Sequence, residues 1–186
     1  MLNSKIFRFD LTVEQYYIRD VLRALIHSII FHRSFNELIP LEVHVDLLNV
    51  TYVKIDDPEV EKMIQEKIAN FTKSFINNSK QGQILISFKN GKESKAKYWF
   101  SKSNEDAIFE QWQINITLIR AKTEREQIDC RKTLSTLLLE KLIEISHITN
   151  EDNDHVPAIT NADQYPFPFQ IEMASNDQNS WKLPWS

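Results

Sequence analysis

Glycine is nearly absent from this chain: Gly82 and Gly91 are the only two in 186 residues. Phosphate-cradling loops and dinucleotide-binding turns need several glycines close together, because the backbone itself must approach the phosphate, so both classes are excluded. Cysteine is scarcer still. Cys130 alone can build neither an intrachain disulfide nor a multi-thiolate zinc site, which points to a reducing, cytosolic or nuclear setting. No run approaches the roughly 18 apolar residues that mark a membrane-spanning helix. The opening MLNSKIFRFD lacks the apolar core of a signal peptide. Positive charge is not in excess either. A net charge of −4 argues against a dedicated nucleic-acid binder, and any membrane contact is expected to be peripheral.

What is present describes an ordinary globular domain. Hydrophobic residues make up 42% of the chain and charged residues 26%, enough for a core and a solvated surface. Phe7, Phe9 and Leu11 alternate with Arg8 and Asp10, the period of a half-buried strand. A helix is expected over 13–34, opened by the capping-box pair Thr12 and Gln15, with Ile18, Leu22, Leu25, Ile26 and Ile29 on its core face. Residues 42–55 read as one long strand or two joined by an irregularity. The apolar parity changes at Leu47-Leu48, as a bulge would produce. Asp57-Pro58-Glu59 is a helix start, followed by the stripe Val60, Ile64, Ile68, Phe71 and Phe75.

Strands are expected at 83–89 and 109–120, the latter with Trp112, Ile114, Ile116 and Leu118 on one face. Thr123 and Glu126 form a second capping box, opening a helix to about residue 147. Ile128, Leu134, Leu138, Leu142 and Ile145 are expected on its buried face, making it a central pillar of the core. Residues 165–173 can return as a strand, at a sheet edge because Pro166 and Pro168 lack ladder donors. The sum is an α+β fold, a mainly antiparallel sheet packed against three helices. A single domain is expected over residues 1–175, with a C-terminal tail at 176–186.

The chemistry-bearing residues are few. Tyr98-Trp99-Phe100 stands among Lys92, Lys95, Lys97 and Lys102. Three successive aromatics cannot all face one side of a strand. On a projecting loop two of them supply interface anchors; in a strand Tyr98 and Phe100 are buried and Trp99 is partly covered. His27 and His32 are five apart, not the spacing of metal ligands on one helix face, and no metal or other cofactor is expected. His32 and Arg33 complement the negative end of their helix. Cys130 has no identifiable base or oxyanion donor and reads as a small packed thiol, so a hydrolase or transferase built on it lacks a constellation.

Three segments together resemble the autophagy-related protein 101 family of HORMA-domain proteins. They are Leu25–Ser34 (LIHSIIFHRS), Val50–Ile55 (VTYVKI) and Thr123–Glu126 (TERE) followed by Cys130-Arg131. The aromatic run at Tyr98, Trp99 and Phe100 occupies the matching place between the second and third. The resemblance covers about residues 5–148 well and 165–173 weakly. It implies a HORMA fold and a non-catalytic scaffold of the autophagy-initiation kinase complex, acting in the cytoplasm and at the preautophagosomal structure. It implies pairing with, and stabilisation of, the HORMA domain of autophagy-related protein 13. Tyr98, Trp99 and Phe100 then become a finger that recruits downstream autophagy factors, and His32, Arg33, Arg131 and Lys132 become candidates for the partner surface. Animal relatives carry Trp-Pro-Phe in the finger where this chain has Tyr98-Trp99-Phe100, of which Trp99 and Phe100 are the preferred finger pair, and a C-terminal element of longer relatives is expected to be short or missing. A HORMA adaptor of checkpoint or DNA-repair signalling is the alternative reading.

Overall fold

The computed structural model describes residues 4–34, 39–78, 80–90, 108–158 and 167–175. In chain order these form β1 (Lys5–Glu14), α1 (Ile18–Arg33), β2 (Pro40–Val45), β3 (Val50–Ile55), α2 (Pro58–Asn78), β4 (Gln81–Lys89), β5 (Ile108–Ile119), α3 (Glu124–Glu151) and β6 (Phe169–Ser175). The α+β, HORMA-like class expected from the sequence is the class observed. A four-stranded sheet runs β1-β5-β4-β6, and β2 with β3 makes a second, two-stranded sheet. The β1/β5 pair is parallel, whereas β4/β5, β4/β6 and β2/β3 are antiparallel.

Strand alternation divides the larger sheet into two chemical faces. Phe9, Leu11, Val13, Ile84, Ile86, Trp112, Ile114 and Ile171 are buried on one. The other carries side-chain ladders that cross the strands, with Asn115 donating to Asp10 at 2.8 Å, Gln83 donating to Asn115 at 2.7 Å and Arg8 donating to Gln113 at 3.3 Å. β6 takes the sheet edge beside β4, the edge position expected for this segment, and begins at Phe169, directly after Pro168.

The helices differ from expectation in which one is central. α1 buries residues on nearly every side, from Ile18 and Val21 through Ala24, Leu25, His27 and Ile30 to Arg33. It touches β3, α2 and α3. The expected pillar, α3, buries only Leu134, Leu138, Leu142, Ile145 and Thr149 and lies outside α1. Ile128, expected in the core, is 41% exposed. The reason is geometric: one seam against α1 covers a single stripe of a helix, and Ile128 falls beside that stripe.

Two boundaries also moved. Glu14 remains in β1, and its carboxylate accepts from the backbone N–H of Tyr16 at 2.7 Å, starting a short 3₁₀ turn before α1. The chain therefore stays extended past Thr12, because pairing of Val13 with Leu118 and Glu14 with Ile119 outweighs the capping box. The parity change at Leu47-Leu48 is a hairpin turn, not a bulge: Val45 pairs with Val50, and Asn49 takes φ 49° to close the loop. The other start signals act as expected. Asp57 accepts from the N–H groups of Glu59 and Val60, and Thr123 from that of Glu126.

Gly82 lets α2 sit down on β4. A Cβ at this position would lie 2.7 Å from Phe71 Cζ and 3.0 Å from Phe75 Cε2, two rings stacked with centroids 4.8 Å apart. Replacing Gly82 by Ala is expected to cost about 1–3 kcal/mol of overpacking strain, read as a lower urea midpoint at unchanged slope.

Candidate functional site

Two buried polar clusters hold the helices in place, and between them they decide which surfaces remain free. The first is centred on Glu110. Its carboxylate receives Arg33 in a two-point contact, Nε at 2.9 Å and Nη2 at 2.7 Å, with both side chains fully buried. The Trp112 indole N–H donates to the same carboxylate, and His155 Nε2 lies 2.6 Å from its other oxygen. Arg33 Nη1 also donates to the Thr149 carbonyl at 3.2 Å and to Asn153 at 2.8 Å. Phe7 closes the cluster with its ring centroid 4.7 Å from that of Trp112. The end of α1, the end of α3 and strand β5 are thereby joined at one point.

The second cluster joins α1, β3 and α2. Glu61 accepts from Lys54 at 2.6 Å, from Gln65 at 2.6 Å and from Arg23. Burial works against its ionisation, but the Lys54 bond and the charges around it outweigh that and hold its pKa at about 2. His27 Nε2 lies 3.3 Å from the same carboxylate. Burial lowers the His27 pKa to about 4; Glu61 opposes this, while Lys54 and Arg23 add to it. His27 is therefore neutral at pH 7. Tyr52, stacked beside it, is pushed up to about 12, chiefly by burial.

The exposed surface of α3 is the third feature. Ile128, Leu139 and Ile143 are 41%, 48% and 50% exposed and recur at helical spacing with Lys132 and Thr136 between them. Arg131 and Lys132 are both exposed at the start of this stripe. The β2/β3 turn is anchored to the same helix, because Ser135 donates to the Leu48 carbonyl at 2.5 Å; the neighbouring Leu47 is 43% exposed. Exposed apolar side chains interrupted by a lysine and a threonine on one helix face can bury area against a protein surface and pair with its polar groups.

The four residues expected at the partner surface do not converge. Arg131 and Lys132 lie together on α3. His32 is half-buried at the far end of α1, its Nδ1 2.8 Å from the Ser28 carbonyl of its own helix. Tyr17, at the start of α1, feels the charge of Arg131, whereas Arg33, at its end, bonds the last turn of α3. The 16 residues of α1 span about 24 Å at ~1.5 Å per residue, and His32 and Arg131 lie toward opposite ends of that span. Arg33 is corrected outright as a surface contact: it is fully buried, and its charge is spent on Glu110. Tyr98, Trp99 and Phe100 lie outside the described residues. Cys130 is half-buried near the start of α3.

Sequence reasoning missed Glu110, His155 and the Ile128–Leu139–Ile143 stripe. Glu110 adjoins Phe109 and sits two residues before Trp112, and an acidic residue flanked by buried aromatics was the available signal.

Among the described residues, three helices packed with a mainly antiparallel four-stranded sheet and a separate two-stranded sheet give an α+β, HORMA-like module. The model of the family described as autophagy-related protein 101 matches residues 10–163. The autophagy-related protein 101 of Arabidopsis thaliana is 33% identical, over 94% of this chain and 88% of that protein. That of Schizosaccharomyces pombe is 24% identical over 87% of this chain and 83% of its own length, and that of Homo sapiens 21% over 84% and 76%. The chain belongs to the autophagy-related protein 101 family, which supports a role in autophagy. No helix among the described residues is long and apolar enough to cross a membrane.

Acid should unfold the protein in a defined window. Below pH 6.5 the unfolded chain protonates His27, whereas the folded chain resists until about pH 4. Stability is therefore expected to fall by about 3 kcal/mol between these values, measured by urea unfolding across pH. Exchange of His27 for Phe should flatten that segment and leave the further loss between pH 4.5 and 2, where Glu61 titrates. Separately, Arg33→Ala strands a buried carboxylate and is expected to cost about 3–5 kcal/mol, whereas Arg33→Met with Glu110→Met should cost much less, compared by the same denaturation.

Proposed function

We propose that this chain is a non-catalytic scaffold of the autophagy-initiation complex, pairing with and stabilising the HORMA domain of autophagy-related protein 13. The observation that carries this reading is the exposed stripe of α3, where Ile128, Leu139 and Ile143 present large apolar side chains beside Arg131 and Lys132. A helix so placed offers a partner the apolar anchors Leu139 and Ile143 about two to three turns beyond the cations Arg131 and Lys132, a mix of apolar and charged contacts that protein interfaces use. Partner binding stabilises the folded state of both chains by mass action, so each protein protects the other from unfolding.

In this reading residues 1–175 form the HORMA domain and 176–186 a tail. Tyr98, Trp99 and Phe100 are the finger that engages downstream autophagy factors once the pair has formed. Its large rings supply contact area at low entropic cost. The assembly acts in the cytoplasm and is recruited with the initiation kinase to the preautophagosomal structure. Of the residues proposed for the partner surface, Arg131 and Lys132 keep that role. His32 lies at the opposite end of α1, and Arg33 serves the interior.

The two surfaces are separable by mutation. Leu139→Asp with Ile143→Asp is expected to weaken binding to the partner HORMA domain about 100-fold, since two anchors at about 1.4 kcal/mol each multiply to that factor. Circular dichroism should stay unchanged. Trp99→Ala with Phe100→Ala should leave that affinity intact and reduce co-isolation of downstream factors from starved cells. Undiminished partner affinity in the folded α3 variant refutes the pairing surface, and normal recruitment by the finger variant refutes the finger.

A further inference from the structure

Strand β2 carries an edge that nothing among the described residues covers. It pairs with β3 alone, and no other element packs against it extensively. The parity of its backbone is set by the bond from Asp56 N to the Ile39 carbonyl. Odd-numbered residues exchange bonds with β3, so the backbone groups of Glu42, His44 and Asp46 point outward. Its side chains alternate the other way. Leu41, Val43 and Val45 line the face toward the body, where Val43 and Val45 pack on the core and Leu41 stays 41% exposed. Glu42 and His44 are exposed on the opposite face. Exposed edges are templates for another strand unless charge or proline blunts them.

This edge matches itself. Two copies of β2 related by a two-fold axis must run antiparallel, and the outward groups allow only even-numbered residues to form hydrogen-bonded pairs. Centring the axis on Glu42 opposes two glutamates and aims the Pro40 nitrogen, which has no hydrogen, at His44. Centring it on His44 opposes Glu42 with Asp46. Centring it on Val43 sets each Glu42 against His44 of the other copy, Leu41 against Val45, and Val43 against itself. Pro40 then falls at the end of the ladder opposite Asp46, where its missing donor costs least. Ile39 and Leu47, 73% and 43% exposed, flank the same apolar row.

We propose that the chain self-associates through β2, forming a continuous four-stranded β3-β2-β2-β3 sheet with Val43 on the two-fold axis and Glu42 paired with His44 across it. One strand pair is a small interface, so association falls in the weak, roughly micromolar class. The outer edge of β2 is distinct from the exposed stripe of α3. A dimer so built presents two α3 faces at once and makes the scaffold bivalent.

Sedimentation velocity on the full chain over a wide concentration range tests this directly. A monomer–dimer equilibrium is expected. Glu42→Lys should weaken it about tenfold or more, and Glu42→Lys with His44→Glu should restore it, since the opposite charges are then exchanged. In a Cys130→Ser background, Val43→Cys should give a covalent dimer under mild oxidation, because that position alone faces its own copy at disulfide distance. His44→Cys should not. A chain that stays monomeric throughout, a dimer indifferent to Glu42→Lys, a double exchange that fails to restore pairing although circular dichroism is native, or equal crosslinking at 43 and 44 would each overturn the proposal, including the case in which β2 serves only a strand from a different protein.

Discussion

A fully buried charge pair governs the arrangement of this molecule. Arg33 and Glu110 meet in two contacts inside the protein, and removing water from both ions is repaid only because every neighbour contributes. Trp112, His155, Thr149 and Asn153 complete the set of partners. The pair lies at the last residue of α1, at the third residue of β5 and against the last turn of α3. Apolar packing tolerates sliding of a helix by small amounts, whereas a two-point ionic contact does not. The register of α1 on the sheet, and of α3 on α1, follows from this requirement.

From that register come the free surfaces. With α1 enclosed by β3, α2 and α3, the apolar residues on all its sides are used up inside the domain. α3 has only one covered seam, so Ile128, Leu139 and Ile143 remain outside. The second polar cluster, around Glu61 and His27, ties α2 and β3 to the other flank of α1 and makes the same core sensitive to acid. Stability and exposure are thus two results of one packing arrangement, since a helix enclosed in the core cannot also present a face to solvent.

Much of the fold was legible in local chemistry. Alternation located β1, β4 and β5; Asp57 and Thr123 marked two helix starts; Pro166 and Pro168 forecast an edge position for β6. The errors have a common origin. Thr12 and Gln15 form a sound capping box, yet parallel pairing of β1 with β5 keeps the chain extended through Glu14. The parity change near Leu47 marks a real break in the strand, but a bulge and a tight hairpin leave the same trace in sequence, and only the pairing of Val45 with Val50 separates them. Ile128 has the right spacing for a buried stripe, but periodicity cannot say how wide the covering neighbour is.

The sequence by itself determined the class of fold, the family, and the local starts of elements, because propensity, capping and turn chemistry act between residues a few positions apart. Tertiary structure alone decided that Arg33 serves the interior, that α1 rather than α3 is the central helix, and that among the described residues β2 pairs on one edge only. Each depends on which residue from a distant part of the chain arrives opposite. Arg33 and Glu110 are 77 positions apart, and no short-range pattern records that meeting.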